Sequence, residues 1–143
     1  MIALITDSSV ILKWFHSEGE DELPAARAVL QAHRDQQLGA LILDLTLYEL
    51  GNILLRRLGW AAAQVTQQLD DIVLLCGPPL SLLPEWRHDA ADLAEQHRLT
   101  FYDAAFAAAA RGLQVPLLSA DRELLQAGLA ESVSAFAQRM HLV

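Results

Sequence analysis

Four acidic residues stand in short polar segments spread along the whole chain, and they are Asp7, Glu49, Asp103 and Asp121. Three of them mark points where an apolar run or a loop gives way to a helical pattern. Glu49 instead lies inside a helix that is otherwise almost wholly apolar. Carboxylates that converge from distant parts of a chain bind a hard divalent cation, usually Mg²⁺ or Mn²⁺. The pattern therefore indicates metal-assisted chemistry on a phosphoester.

Each of the three boundary acids also has an ordinary structural explanation. Asp is a favoured N-cap, and Asp7 directly precedes a predicted helix. Thr100 and Asp103 have the spacing of a capping box, and Asp121 falls where an acid suits the helix dipole. From these residues alone, capping and metal binding both stay open.

Capping does not explain Glu49, because this residue lies in the middle of its helix. Only a narrow stripe formed by Glu49, Asn52 and Arg56 is polar there. A helix that is apolar on most faces is buried on most faces, so its polar stripe must face either solvent or a polar site. A buried carboxylate without partners is costly, and a metal ion would offset that cost.

Composition bounds the class of protein. The chain has 143 residues, 53% of them hydrophobic, which predicts a single folded domain over 1–143. Cys76 is the only cysteine, so no disulfide can form within the chain. The N-terminus lacks the features of a signal peptide, and no apolar run approaches the roughly 18 residues of a membrane span. We expect a soluble, cytoplasmic protein.

The formal net charge of −8 argues against a generic nucleic-acid binder, which is normally basic. The four acids named above account for half of that charge, and two divalent ions would cancel them locally. The acidity therefore weakens a nucleic-acid function without excluding it.

The order of elements predicts a parallel α/β domain. The expected strands are Met1–Thr6, Leu38–Leu43, Leu80–Leu83, Val115–Leu118 and Ser132–Phe136. The expected helices are Ser8–His16, Pro24–Arg34, Leu45–Leu58, Ala61–Leu75, Trp86–His97, Thr100–Arg111 and Ala120–Gln126, and the charged run 18–22 is expected to be a solvated loop. Such a chain folds as a three-layer α/β/α sandwich around a small parallel sheet of four to five strands. Ligands bind such sheets outside the carboxyl ends of the strands, where Asp7 and Asp121 would meet.

Taken in order, the four segments resemble the PIN-domain nucleases, specifically the VapC-type toxins of toxin–antitoxin pairs. The resemblance is carried by Ile5–Phe15, Tyr48–Asn52, Thr100–Phe106 and Leu117–Leu124. It implies an α/β/α sandwich, a Mg²⁺- or Mn²⁺-dependent endoribonuclease, a homodimer, and inhibition by a small VapB-like antitoxin.

On the family's pattern, Asp7, Glu49, Asp103 and Asp121 match the acidic quartet. Ser119 matches the hydroxyl residue before the last acid, and Ser9 and Asn52 match positions that support the acids. The resemblance implies that Asp7 and Asp103 hold a divalent ion, with Glu49 and Asp121 binding it through water or holding a second ion. It also implies that water attacks the RNA phosphodiester, leaving 5′-phosphate and 3′-hydroxyl ends. The basic residues near these segments, expected to contact substrate phosphates, are Lys13, Arg56, Arg57, Arg111 and Arg122.

Particular residues argue against two other classes of enzyme that act on phosphate groups. A haloacid-dehalogenase-like phosphatase or a receiver domain also places an Asp after its first strand, but both need a lysine late in the chain. The only lysine is Lys13, and position 9 is Ser where the phosphatase needs an acid. An RNA-processing nuclease without an antitoxin and a non-catalytic PIN-fold binding module stay open. We expect the apolar surface of helices 45–58 and 61–75 to be filled by the core, by a second subunit or by an antitoxin helix.

Overall fold

The computed structural model describes residues 1–143. The strands are β1 (Ile2–Thr6), β2 (Leu38–Leu41) and β3 (Leu117–Leu118). The helices are α1 (Ser8–Phe15), α2 (Leu23–Arg34), α3 (Asp44–Asn52), α4 (Ala62–Cys76), α5 (Pro84–His97), α6 (Phe101–Leu113), α7 (Arg122–Gln126) and α8 (Val133–Arg139). Helix α3 continues directly into a π-helical turn, Ile53–Arg57. No helix is long and apolar enough to cross a membrane.

The sheet has three parallel strands in the order β2-β1-β3. Ile5 in the central strand pairs with Leu41 of β2 on one side and with Leu117 of β3 on the other. The α/β class predicted from the sequence is confirmed, but the sheet is smaller than the four to five strands expected. The predicted strand Leu80–Leu83 is reduced to a single bridge between Leu80 and Leu43.

The predicted final strand at Ser132–Phe136 is wrong, because this segment starts helix α8. The Ser132 side chain accepts a hydrogen bond from the Ala135 amide at 3.1 Å, which caps the helix. Val133, Phe136 and Ala137 are buried at the three- and four-residue spacing of one helical face. The only strand-like pairing nearby is the bridge between Leu118 and Glu131.

Two hydrophobic cores lie on the two faces of the sheet. Leu4 and Ile5, which point to opposite faces of β1, belong to different cores. Leu4 packs with apolar residues of α1 to α4 and α8, and Ile5 packs with those of α5, α6 and α7. This arrangement gives the three layers expected from the sequence.

Helices α5 and α6 lie unusually close together. The alanines of Ala104–Ala110 in α6, together with Phe106, are all buried. Gly112 continues this surface, and a Cβ at its position would lie 2.0 Å from Nε1 of Trp86. This tight packing fixes the position of α6, whose first turn carries Asp103.

The prediction that the helix around Glu49 is buried on most faces is only partly correct. Leu50 and Leu54 are fully buried. Tyr48, however, is 74% exposed and Leu55 is 45% exposed. One side of α3 and the π-helical turn that follows it therefore present aromatic and apolar surface to solvent.

Candidate active site

The acidic residues are positioned by the ends of strands and the starts of helices. Asp7 follows β1 and is the N-cap of α1, and Asp121 follows β3 and is the N-cap of α7. Asp103 lies in the first turn of α6, where its amide donates to Oγ1 of Thr100 at 3.1 Å. Strand ends at one edge of the parallel sheet thus bring acids from distant parts of the chain together.

Asp7 is the most buried of these acids, with only 5% of its surface exposed. Its Oδ1 accepts hydrogen bonds from the Ser9 amide at 3.1 Å and from Oγ of Ser9 at 2.5 Å, and its Oδ2 accepts one from the Ser119 hydroxyl. Burial raises the pKa of Asp7 to about 6, because desolvation outweighs these stabilising hydrogen bonds. The hydrogen bonds therefore fix the orientation of the Asp7 carboxylate, whereas burial disfavours its ionisation.

The two serines link Asp7 to the segment that carries Asp121. Oγ of Ser9 accepts from the Ala120 amide at 2.9 Å, and Oγ of Ser119 accepts from the Asp121 amide at 2.9 Å. Both residues therefore contact an acid, as the sequence pattern predicts. Asn52, the third predicted supporting residue, is exposed and makes no side-chain hydrogen bond to an acid.

Glu49 is held by a residue that the sequence analysis did not single out. The Ser8 hydroxyl, itself buried, donates to Oε1 of Glu49 at 2.8 Å. Burial raises the pKa of Glu49, and the negative charges of the three aspartates raise it further. Glu49 therefore lies within the electrostatic reach of Asp7, Asp103 and Asp121.

A fifth acid, Glu123, was missed from the sequence and lies closer to Asp103 and Asp121 than the predicted Asp7 and Glu49, which are not part of this converging group. Carboxylate oxygens of Asp103, Asp121 and Glu123 all lie within 4.8 Å of one another. Burial raises the pKa of Asp103, and the charges of Asp121 and Glu123 also raise it. Glu123 follows Asp121 by two residues in the first turn of α7. This spacing is the feature of the sequence that could have indicated Glu123 as a site residue.

The donor set suits a hard divalent cation. Mg²⁺ and Mn²⁺ prefer carboxylate oxygens, and three such groups lie here within 4.8 Å of one another. A bound cation would remove the mutual repulsion of these carboxylates. The chemistry of the residues present therefore fits a divalent cation.

The predicted phosphate-binding residues differ in their availability. The structure does not support Lys13, because its Nζ is buried and bound to Oε1 of Glu20 at 3.2 Å and Oδ1 of Asp21 at 2.9 Å. Desolvation lowers the pKa of Lys13, but these two carboxylates outweigh it and raise the pKa. Lys13 instead anchors the acidic run that the sequence predicted to be a simple solvated loop.

The arginines remain on the surface. Nη2 of Arg57 lies 3.7 Å from Oε2 of Glu20, which also pairs with Lys13. Arg56, Arg111 and Arg122 are exposed. Arg122 directly follows Asp121, whereas Arg111 lies about 12 Å along α6 from Asp103 at 1.5 Å per residue. Arg122 is therefore the best placed of them for a phosphate near the acids.

A three-layer α/β fold that gathers carboxylates at the carboxyl edge of its parallel strands defines a PIN-like protein. The PIN domain family model matches residues 4–129 of this chain. The chain is 36% identical over 112 residues to Exonuclease VapC9 of Pyrobaculum aerophilum, covering 71% of this chain and 79% of the relative. The chain belongs to the PIN-domain family, and the resemblance to its VapC-type members is confirmed.

Solved structures agree on the fold. The crystal structure of PAE2754 from Pyrobaculum aerophilum aligns with a TM-score of 0.70 and 26% identity, covering 99% of this chain and 98% of that one. The structure of Mycobacterium tuberculosis VapC20, titled a sarcin-ricin loop cleaving toxin, aligns with a TM-score of 0.67 and 17% identity. That alignment covers 87% of this chain and 95% of VapC20.

Proposed function

We propose that this protein is a divalent-metal-dependent endoribonuclease that acts in the cytoplasm as the toxin of a toxin–antitoxin pair. The observation that carries the proposal is the convergence of the Asp103, Asp121 and Glu123 carboxylates within 4.8 Å. The charges of Asp7, Asp103 and Asp121 all raise the pKa of Glu49, which places Glu49 near these acids. Membership of the PIN-domain family supports the same chemistry.

The residues of this chain would have different roles in the reaction. Asp103 and Asp121, with Glu123, offer oxygens to Mg²⁺ or Mn²⁺, and Asp7 adds a carboxylate whose orientation is fixed by Ser9 and Ser119. When bound, the metal supplies an activated water and neutralises charge on the phosphate. Glu49, held by Ser8, would add a further carboxylate near these acids. A water oxygen would bond to phosphorus as the bond from phosphorus to O3′ breaks, and O3′ would take a proton from solvent. The products would carry a 5′-phosphate and a 3′-hydroxyl.

Cleavage of RNA by the purified protein tests this function. We expect cleavage with Mg²⁺ or Mn²⁺ and none with a chelator, and mapped products should carry 5′-phosphates. Asp103→Asn should reduce the rate by at least about 100-fold, as expected for loss of a charge-stabilising group, whereas Asp89→Asn, a change at an exposed acid of α5, should leave it unchanged. No metal-dependent cleavage of RNA would favour the binding-module alternative.

The relative named an exonuclease makes the mode of attack a separate question. A circular RNA has no ends, so only an endonuclease can linearise it. Linearisation with Mg²⁺ would support the proposed endoribonuclease. Degradation of linear RNA alone would assign exonuclease activity instead.

Metal binding has a readout that does not depend on cleavage. A cation that binds only the folded protein stabilises it by about 2.7 kcal/mol at 100 times its Kd. Thermal unfolding of the wild type should therefore shift upward with Mn²⁺. The shift should be lost in Asp121→Asn, and an equal shift in that variant would contradict the assigned ligands.

An open groove of about 510 Å³ offers a place for the antitoxin. It lies between α1, α2 and α4 and is lined mainly by Trp14, Phe15, Leu30, Ile72 and Leu75, with Leu74 at its margin and 87% exposed. We propose that an apolar helix of a small VapB-like antitoxin fills it. Leu74→Glu should weaken inhibition by a small protein found encoded beside this one while leaving RNA cleavage intact.

Light scattering tests the proposed homodimer independently of the antitoxin. Light scattering of the protein alone should give twice the mass of one chain. If no neighbouring small protein inhibits cleavage, the RNA-processing alternative is favoured, although the nuclease assignment would stand.

A further inference from the structure

The π-helical turn after α3 changes which side chains share a face with Glu49. The Leu58 amide donates to the Ile53 carbonyl at 3.1 Å, five residues back, and the turn ends at Arg57. Such a turn accommodates one residue more than a turn of α-helix, so Arg57 takes the angular position of the seventh residue after Glu49, although it is the eighth. Seven residues make about two turns of α-helix. Arg57 therefore lies on the same side of the helix as Glu49, about 11 Å along the axis.

Contacts with α1 agree with this alignment. At the start of α1, the Ser8 hydroxyl donates to Oε1 of Glu49 at 2.8 Å. Near the end of α1, Nζ of Lys13 donates to Oε1 of Glu20 at 3.2 Å. The other oxygen of that carboxylate, Oε2, lies 3.7 Å from Nη2 of Arg57. Helix α1 therefore runs beside both Glu49 and Arg57, with Glu20 between α1 and the guanidinium.

The two cations beside Glu20 differ in how firmly they are held. The Lys13 side chain is 3% exposed and also binds Oδ1 of Asp21 at 2.9 Å, so it stays engaged within the protein. The Arg57 side chain is 59% exposed, and Glu20 is the one carboxylate with which it pairs. An exposed ion pair contributes little to stability. Arg57 can therefore exchange Glu20 for another anion at low cost.

We propose that Arg57 binds a phosphate of the RNA strand beside the cut, and that the Glu20 carboxylate competes with that phosphate for Arg57. The inference rests on the proposed ribonuclease function. A guanidinium binds carboxylate and phosphate oxygens in the same forked geometry, so one anion can replace the other. Because Arg57 lies two turns from Glu49, the phosphate that it binds is a neighbour of the one that is cut. Such a contact positions the strand without reading its sequence.

The chain offers a matched control for each change of charge. Glu18 lies in the same acidic run as Glu20, but it is exposed and takes part in no ion pair. Arg87 is an exposed arginine in the first turn of α5, at the end of that helix away from Asp103. Glu18→Gln and Arg87→Gln therefore change the net charge as Glu20→Gln and Arg57→Gln do, without touching the proposed pair.

Binding of a fluorescein-labelled single-stranded RNA of mixed sequence, measured with a chelator so that it is not cut, tests the competition. Glu20→Gln should bind this RNA up to about fivefold more tightly than wild type, the size of an exposed ion pair. Glu18→Gln should gain less. In the Arg57→Gln background, Glu20→Gln should gain no more than Glu18→Gln does. Glu20→Asp keeps the charge beside Lys13 but shortens the side chain that reaches Arg57, so it should also raise affinity.

The salt dependence of binding tests the phosphate contact. Arg57→Gln should bind the RNA more weakly and reduce the slope of log affinity against log salt by about 0.7, the value for one phosphate of a single strand. Arg57→Lys should keep the slope, because it keeps the charge. Arg87→Gln should bind within about twofold of wild type, since salt screens a distant charge. In cleavage assays, Arg57→Gln should raise KM more than it lowers kcat, because its phosphate is not the one that is cut.

Two results would overturn the inference. Equal RNA binding by wild type and Arg57→Gln would exclude the phosphate contact, and an equal gain from Glu20→Gln with and without Arg57 would exclude the competition. Neither result affects the ribonuclease function, which is measured by cleavage with the wild type. Thermal unfolding checks that each variant is folded, and if Glu20→Gln is not, Glu20→Asp decides the competition. If wild type neither binds nor cuts RNA, both proposals fail.

Discussion

Replacing Asp7 with Asn should make the metal-free protein more stable while removing its activity. Asp7 is 5% exposed, and burial raises its pKa from the ordinary value of 3.8 to about 6. At neutral pH the folded protein therefore holds an ionised carboxylate in a place that disfavours charge. Asn has nearly the same shape and removes the charge, so it removes that cost together with the metal ligand.

The magnitude follows from the two pKa values. A difference of about two pH units between the folded and unfolded pKa corresponds to about 3 kcal/mol of stability lost at neutral pH. Asn restores less than this, because the Ser119 hydroxyl would lose the carboxylate oxygen to which it donates. That lost hydrogen bond costs about 1 kcal/mol. We expect the free energy of unfolding to rise by about 2 kcal/mol.

The sign of the pH dependence is fixed by the direction of the shift. The folded pKa of Asp7 lies above the unfolded value. Below about pH 4 Asp7 therefore does not lower the free energy of unfolding, and this stability is lost as the pH rises through about 6. Asp7→Asn removes this titration. The stability advantage of the variant should therefore be absent near pH 4, grow between pH 4 and 6, and level off above.

Urea unfolding in the presence of a chelator, from pH 4 to 8, measures this difference. Asp35→Asn, a change at an exposed aspartate, is the matched control and should give no pH-dependent advantage. Adding Mg²⁺ should stabilise the wild type and not Asp7→Asn. A variant that is less stable than wild type at pH 7.5 without metal, or an advantage that does not vary with pH, would refute the reasoning.

Two further substitutions test the packing that holds the site. Gly112→Ala places a Cβ 2.0 Å from Nε1 of Trp86 and should cost about 1–3 kcal/mol in thermal unfolding, whereas Gly51→Ala, whose Cβ would have ordinary contacts, should not destabilise. A Gly112→Ala protein as stable as wild type would show that α5 and α6 can separate freely. Lys13→Met leaves Glu20 without its buried partner and should cost about 3 kcal/mol in urea unfolding. If Lys13→Met has unchanged stability but weaker RNA binding, the prediction that Lys13 contacts substrate phosphates would be supported instead.

The parts of the fold that follow local rules were predictable from the sequence. The strand-to-helix change at Asp7 and the cap at Thr100 are set by residues within one turn, and both elements begin where expected. The meeting of Asp7 and Asp121 at one sheet edge followed from the parallel topology alone. Strand pairing at the sheet edges depends on backbone from distant parts of the chain. For this reason the predicted strand Leu80–Leu83 forms only one bridge.

Errors arose where a side chain reaches a partner far from its own element. The sequence predicts Lys13 near the substrate because it follows Asp7 closely along the chain, but its side chain pairs with Glu20 and Asp21 instead. From the sequence Ser8 is only the start of a helix, although its hydroxyl donates to Glu49, 41 positions away. Composition and spacing carry no information on these contacts, since both depend on how α1 packs against its neighbours.

The acids that cap helices and the acids that would bind metal are largely the same residues, and this double use explains how the metal-free chain can fold. Asp7 at α1 and Asp103 at α6 lie at helix N-termini, where the helix dipole stabilises negative charge. Glu49 has no such position, because it lies in the middle of α3, and its one polar contact within the chain is the Ser8 hydroxyl. The negative charges of Asp7, Asp103 and Asp121 all act against its ionisation. A bound cation would therefore offset the repulsion that Glu49 receives from the three aspartates, which no helix N-terminus offsets.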